Sequence, residues 1–117
     1  MSWSPKSRIV STGVYKNIKY MIREIDAGPL PSGFTCPAKW FTAYIELPFT
    51  VYADSLDCHG GCTFESGEWP EEYEPVSREN MIFGWDYNHL WNWQHPASES
   101  NVLSDIKHTI DAYLGEK

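Results

Sequence analysis

The sequence has few cysteines and no long hydrophobic run, and these two absences exclude several classes of protein. Its three cysteines, Cys36, Cys58 and Cys62, cannot all pair within one chain, so we do not expect a disulfide-stapled secreted domain. No stretch approaches the roughly 18 to 20 apolar residues that span a bilayer, so we expect no membrane insertion. Residues 1–20 contain no apolar run of the length found in secretory signals, and we therefore expect a cytoplasmic protein.

Basic residues are scarce in most of the chain. Residues 1–23 carry five basic and no acidic side chains, whereas residues 24–117 carry four basic and sixteen acidic ones, and the formal net charge is −7. Binding to nucleic-acid phosphates needs a cationic surface, so we do not expect general nucleic-acid binding. We predict that residues 1–16 form a flexible basic arm and that residues 17–117 form a single domain.

Alternation of apolar and polar residues predicts a small sheet. The period of two is clear at residues 17–25 and 40–47, which is typical of half-buried strands. Shorter strands are predicted at residues 62–64, after two glycines, and at residues 81–85. We therefore expect a mostly antiparallel sheet of about four strands.

The C-terminal segment has a different period. Apolar residues recur at helical spacing over residues 102–114, which predicts an amphipathic helix. Ser98 or Ser100 can cap its start and Gly115 can end it. A helix packed on a small antiparallel sheet belongs to the α+β class, which is the fold class that we predict.

Two glycine-containing clusters of the sequence hold the polar residues that are most typical of a functional site. The first contains His59, Gly60 and Gly61, and the second contains Asp86 and His89. Adjacent glycines expose backbone N–H groups that can bind an anion, while a histidine supplies a donor or an acceptor. The alternative is a tight turn beside a strand, with His59 bonded to a backbone carbonyl.

A metal site is a further alternative for the same residues. His59, Asp86 and His89 match the set of two histidines and one carboxylate that hydrolytic zinc and non-haem iron sites use. The spacing lacks a recognised motif such as His-Glu-x-x-His, so we assign no cofactor and keep zinc at these three residues as the alternative. Cys58 and Cys62 could also bind zinc together with His59 and His95, although the second cysteine pair of a typical zinc site is absent.

Aromatic residues are abundant and suggest a pocket. They make up 15% of the chain, with six tryptophans and seven tyrosines, and flat rings of this kind can stack on nucleotide bases. In this interpretation Trp85 and Trp91 stack on a base, and Arg78 holds a phosphate. The alternative is that most of the rings form the core and subunit contacts. The candidate ligand-binding residues are His59, Gly60, Gly61, Thr63, Arg78, Trp85, Asp86, His89 and Trp91.

The order of these motifs resembles a family of short, largely uncharacterised proteins of bacteriophages, prophages and mobile elements. The family pattern is a strand ending in a Gly-Tyr-Val type sequence and a proline, then His-Gly-Gly-aliphatic-Thr-Tyr, then Trp-x-x-Gly-Phe-Asp-x-x-His, then a closing helix. The matching residues here are Ala43-Tyr44-Ile45 with Pro48, then His59-Gly60-Gly61-Cys62-Thr63-Phe64, then Gly84-Trp85-Asp86-x-x-His89, then the helix through Leu114. Cys62 replaces an aliphatic residue and Trp85 replaces a phenylalanine of the pattern.

The resemblance covers about Tyr20 to the C-terminus and implies a phage-borne protein that acts in the cytoplasm of a bacterial host. We expect a non-enzymatic anti-defence protein that sequesters a nucleotide-derived immune signalling molecule. One alternative is a small metal-dependent phosphoester or nucleotide hydrolase. Another is an inhibitor of a host defence nuclease that uses the acidic segment 65–74 as a protein-interaction face. We also expect a homodimer or a higher homo-oligomer.

Overall fold

The computed structural model describes residues 6–27, 39–88, 95 and 97–115. The strands of this part of the chain form one antiparallel sheet with the order β1-β2-β3-β5-β4, and the α+β class is confirmed. The elements are β1 (Lys6–Tyr15), β2 (Ile18–Asp26), β3 (Lys39–Pro48), β4 (Phe64–Ser66), β5 (Asn80–Asp86) and the helix α1 (Glu99–Tyr113).

Residues 6–15 form strand β1, although we expected residues 1–16 to be a flexible basic arm. Residues 6–15 pair along the whole length of β2, so they belong to the sheet. The two strands are joined at Lys16 and Asn17, which both have positive φ, 50° and 67°. This two-residue geometry matches the twist of an antiparallel hairpin. The sheet therefore has one strand more than the alternation predicts.

A β-bulge explains why alternation does not reveal β1. The pairing with β2 shifts between Ile9 and Ser11. Ile9 packs on one face of the sheet, whereas Val10 and Tyr15 pack on the other. The extra residue of a bulge changes the phase of the side-chain alternation, so neither half of β1 is long enough to show a period of two.

The helix-side face of the sheet carries the larger core. Buried residues of β2, β3 and β5 pack there against α1 and the segment between β3 and β4, which contains a short 3-10 turn at Ala53–Ser55. The residues of this core with less than 2% exposure are Ile22, Ala43, Ile45, Leu47, Phe83, Trp85, Val102, Ile106 and Ile110. The faces predicted for β2, β3 and the helix from periodicity are confirmed.

Helix α1 begins with a capping box at Ser98. The Ser98 hydroxyl accepts from the Asn101 N–H at 3.1 Å, and the Asn101 side-chain oxygen accepts from the Ser98 N–H at 3.1 Å, so two free N–H groups of the first turn are satisfied. Gly115, with φ of 75°, follows the helix end. Among the residues that the structure describes, no helix is long and apolar enough to cross a membrane.

The opposite, loop-side face of the sheet is covered by residues 67–79, which join β4 to β5 and which we call the acidic loop. Trp69 of this loop is 6% exposed and packs in a second cluster with Met21, Tyr44 and Ile82. A buried tryptophan contributes a large apolar area. The loop is therefore anchored on the sheet, although Glu68, Glu72, Glu74 and Glu79 are exposed.

Candidate functional site

Gly60 and Gly61 form a tight turn next to Cys58. The Gly61 N–H donates to the Cys58 carbonyl at 3.0 Å. Gly60 and Gly61 have φ of 68° and 88°, a conformation that residues with a side chain rarely adopt. A Cβ on Gly61 would meet no atom within 4 Å, so the outer side of the turn is open. This geometry is the reason for the Gly-Gly sequence, and it sets His59 against β5.

The His59 ring stacks on the ring of Tyr87, with centroids 4.5 Å apart and planes 11° apart. The Tyr87 hydroxyl accepts from Trp85 Nε1 at 3.1 Å and donates to an Asp105 carboxylate oxygen at 2.7 Å. Burial is the main reason that the pKa of Tyr87 is raised, and the bond to the Asp105 carboxylate adds to it. Tyr87 therefore stays a neutral donor at physiological pH and links the end of β5 to α1.

Replacing Tyr87 with phenylalanine is expected to lower the free energy of unfolding by about 1–3 kcal/mol, because it leaves the buried Trp85 Nε1 without an acceptor. The ring stack with His59 is kept in this variant. Urea unfolding measures the change, with Tyr52→Phe as the matched control because the Tyr52 side chain is 83% exposed. Equal stability of the two variants would show that the Tyr87 hydroxyl contributes nothing to the fold.

Asp57 connects the same turn to α1. Its carboxylate lies 2.7 Å from His108 Nε2, and its backbone carbonyl accepts from the Thr109 hydroxyl at 2.6 Å. The ion-pair partners are mostly exposed, so the carboxylate contact is worth little. The bond from the buried Thr109 hydroxyl fixes where the segment before Cys58 meets the helix.

Two free thiols flank the glycine turn. Cys58 and Cys62 are half-buried and hydrogen-bonded to each other, and this bond, with backbone hydrogen bonds from Gly84 and Phe64, lowers the pKa of Cys62 to about 7. The same thiol–thiol bond, together with burial, raises the pKa of Cys58. The proton is thus kept on Cys58 while Cys62 ionises near neutral pH. The sequence gives no signal for this pair, since pairing between β4 and β5 is what brings Gly84 to Cys62.

One of the predicted ligand contacts is corrected by the structure. Trp85 is 1% exposed and packs in the helix-side core, so it has no free face on which a base can stack. The glycine turn enters the sheet beside Gly84, where the Thr63 N–H donates to the Gly84 carbonyl at 2.9 Å. Arg78 precedes β5, and its contact with a phosphate at this turn stays a prediction.

Asp86 and His59 lie on opposite faces of β5. Side chains alternate along a strand, so Asp86 is on the loop-side face. Trp85 and Tyr87 pack in the helix-side core, and the His59 ring stacks on Tyr87. His89 and Trp91 lie outside the described residues. Within the described part of the chain, no group of three or more histidine, cysteine, aspartate or glutamate side chains is placed to hold a metal ion.

The acidic loop forms an open cavity of about 490 Å³, lined by its own residues 68–76. Four glutamates line it, Glu68, Glu71, Glu72 and Glu74, and the segment contains no basic residue. Lys19 Nζ lies 2.6 Å from Glu74, and Arg23 Nε lies 3.8 Å from Glu71. The structure gives Glu68 and Glu72 no ion-pair partner among the residues it describes, so two carboxylates remain available.

Buried polar atoms without hydrogen-bond partners are found on this same side of the sheet. The atoms that the described residues leave in this condition are Arg23 Nε, Thr42 Oγ1, Glu46 Oε1, Trp69 Nε1 and Glu71 Oε2. Strand alternation puts Arg23, Thr42 and Glu46 on the loop-side face, and the other two residues belong to the acidic loop. Buried polar groups normally find partners, and an unsatisfied one costs about 1–3 kcal/mol. Two of these atoms, Arg23 Nε and Glu71 Oε2, lie 3.8 Å apart as an ion pair.

Comparisons with known proteins give no relative from which the role of the glycine turn or the acidic loop can be inferred. The chain matches no protein-family model, no curated protein and no solved structure. The glycine turn and the acidic loop lie on opposite sides of the sheet, and each presents a different kind of binding surface.

Proposed function

We propose that this chain is a non-enzymatic binding protein that recognises a basic surface of a partner protein through the acidic loop. One observation carries the proposal: four glutamates line a cavity of about 490 Å³ whose segment contains no basic residue. Ligand pockets in proteins have volumes of roughly 300–1,000 Å³. This cavity is therefore large enough to receive a side chain of the partner.

The charge around the cavity favours a cationic guest. Glu74 and Glu71 already face Lys19 and Arg23, whereas Glu68 and Glu72 are exposed and have no ion-pair partner within the described ranges. A basic group bound at these two carboxylates would place a positive charge on a surface that carries negative charges. Complementary charge of this kind raises the association rate and rejects acidic partners.

The aromatic residues of the loop favour arginine in particular. Trp69 and Tyr73 line the cavity, and their rings meet edge to face with centroids 5.5 Å apart. The planar guanidinium of arginine stacks on aromatic faces and forms paired hydrogen bonds with carboxylates, which a lysine ammonium does not do. Tyr73 is partly exposed and is the ring that such a group can reach.

The resemblance to phage proteins gives the proposal its biological setting. A host defence nuclease binds DNA through a cationic surface, and an acidic loop can occupy that surface in place of phosphates. We propose that the chain acts in this way in the cytoplasm of a bacterial host. Plating efficiency of a phage on bacteria that carry a nuclease-based defence and express this chain measures the protection.

Binding of an octa-arginine peptide tests the recognition step. We expect the double variant Glu68→Gln/Glu72→Gln to weaken peptide binding by about tenfold or more, which corresponds to about 1.4 kcal/mol, because two unpaired carboxylates become neutral at constant size. Isothermal titration calorimetry at two salt concentrations measures the affinity. Binding should also weaken as salt rises, since the contacts are exposed charges.

A matched control separates the cavity from net charge. The double variant Asp54→Asn/Glu65→Gln removes the same charge from exposed positions outside the acidic loop, and its affinity is expected to stay within about twofold of the wild type. If both double variants lose affinity equally, only the overall charge of the chain attracts the peptide. In that case the cavity is not the recognition site.

Sequestration of a nucleotide-like molecule at the glycine turn is the second candidate function. The observation in its favour is the half-buried His59 ring, which is stacked on Tyr87 beside a turn that is open at Gly61. A base can add to such a stack, and the N–H groups of the turn can approach a phosphate. Calorimetry with a panel of cyclic dinucleotides and mononucleotides tests it. Binding that His59→Ala abolishes and Glu68→Gln/Glu72→Gln leaves intact would favour this candidate.

A further inference from the structure

The glycine turn also brings two thiols together in a way that neither proposed binding function uses. Cys58 and Cys62 lie on the two sides of a turn closed by the 3.0 Å bond from Gly61 N–H to the Cys58 carbonyl. Both thiols are free and half-buried, and they are close enough to hydrogen-bond to each other. Both side chains also pack against the helix-side core, which limits how far they can separate.

We propose that Cys58 and Cys62 are a redox-active dithiol, which a small disulfide of the oxidised glutathione class converts into an intrachain disulfide. The turn holds the second thiol beside the first, so closure needs no large movement of the backbone. A disulfide requires two cysteines whose side chains approach each other, and the turn between Cys58 and Gly61 brings the next residue, Cys62, back towards Cys58. Cys62 is the attacking residue and Cys58 is the resolving residue.

The two sulfurs differ in surroundings, and this difference sets the order of attack. Hydrogen bonding with Cys58, and with the backbone of Gly84 and Phe64, lowers the pKa of Cys62. As a thiol Cys62 donates to the Phe64 carbonyl at 3.4 Å. The bond to Cys62, together with burial, raises the pKa of Cys58, and the negative charge of Asp57 adds to this rise. Thiolate formation is therefore favoured at Cys62 and opposed at Cys58.

The reaction balances with oxidised glutathione as the oxidant. The Cys62 thiolate attacks one sulfur of the disulfide, a Cys62–glutathione bond forms, and one glutathione thiolate leaves and takes up the proton that Cys62 gave to solvent. Cys58 then loses its proton and attacks the Cys62 sulfur, which releases the second glutathione thiolate. In total, two protein thiols are oxidised by two electrons and one glutathione disulfide is reduced to two thiols.

Peptide mapping of the wild-type chain after incubation with oxidised glutathione tests the proposal. Cleavage after lysine and arginine leaves Cys58 and Cys62 together in the peptide 40–78 and Cys36 in the peptide 24–39. We expect the peptide 40–78 to become lighter by two hydrogens, while the peptide 24–39 stays open to alkylation. A reducing agent should restore the original mass. A product linked through Cys36, or unmodified thiols in the peptide 40–78, would overturn the proposal.

Single variants test the order of attack. Cys58→Ser is expected to stop at a glutathione adduct on Cys62, whereas Cys62→Ser is expected to react about tenfold or more slowly, since it lacks the more nucleophilic sulfur. The same pair of variants unfolded in guanidinium should react at similar rates, because their difference arises from the fold. Equal rates in the folded variants would contradict the assignment of Cys62 as the attacking thiol.

Discussion

Trp85→Ala is expected to lower the free energy of unfolding by about 3–5 kcal/mol, the usual cost of removing a buried tryptophan side chain. Trp85 is 1% exposed in the helix-side core, and its Nε1 donates to the Tyr87 hydroxyl. The variant thus leaves a large cavity between β5 and α1 and removes a hydrogen bond at its edge. Small domains are stable by only about 5–15 kcal/mol, so the substitution is expected to remove a large share of the stability.

Urea unfolding followed by far-ultraviolet circular dichroism measures this loss. With a slope of about 1–3 kcal/mol per molar urea, the midpoint should fall by about 1–5 M. Tyr52→Ala is the control, since Tyr52 is 83% exposed and surface changes of this kind usually stay within about 0.5 kcal/mol. Trp85→Phe should lie between them, because it keeps most of the packing and loses the donor. A stable Trp85→Ala variant that fails to bind a ligand would instead show that the ring acts in recognition.

The regular elements of this fold could be predicted from the sequence because their apolar residues recur with the period of a strand or a helix. Residues 17–25 and 40–47 show the alternation of β2 and β3, and α1 shows apolar spacing from Val102 to Ile110. The capping residue Ser98 was also identifiable, because its side chain acts within its own turn. Local patterns of this kind do not depend on which other elements lie nearby.

Elements whose structure depends on distant contacts could not be predicted in the same way. The bulge after Ile9 divides the pattern of β1, so the strand is recognised only through its pairing with β2. The acidic loop shows many charges in sequence, and nothing in that pattern indicates that it packs on the sheet. Trp69, packed on Met21 and Tyr44 of the loop-side cluster, anchors it, and no local period marks that residue.

The chemistry of the candidate site also depends on contacts between residues that are distant in sequence. Trp85 and Asp86 are neighbours of the predicted histidine cluster in sequence, but alternation along β5 sends them to opposite faces, one into the core and the other to the loop side. We took closeness in sequence as a sign that these side chains converge, but adjacent residues of a strand point to opposite faces of the sheet. Cys58 and Cys62 were considered only as metal ligands, because the lowered pKa of Cys62 depends on its bond to Cys58 and on the backbone of Gly84 in a different strand.

Gly84→Ala is expected to destabilise the sheet by about 1–3 kcal/mol, the range found for an added methyl group in a packed core. A Cβ at this position would lie 2.5 Å from Tyr44 Cδ1 and 2.8 Å from the Ala43 carbonyl oxygen. The carbonyl can move only with β3, and the Tyr44 hydroxyl is held by Arg23 Nη2 at 2.8 Å. Gly67→Ala is the matched control, since its Cβ would meet no atom within 4 Å. Its stability is expected to change by less than about 1 kcal/mol.

A double-mutant cycle decides whether the Tyr44 ring is the cause of the cost at Gly84. Gly84 lies directly opposite Tyr44 in the pairing of β3 with β5, and the ring also meets Phe64 edge to face at 5.1 Å. In Tyr44→Leu the ring no longer covers Gly84, so adding Gly84→Ala should cost about 1 kcal/mol less than it does in the wild type. Urea unfolding of the four proteins gives the coupling. Strict additivity would assign the clash to the Ala43 carbonyl alone, in which case the glycine is required by the close approach of the two backbones.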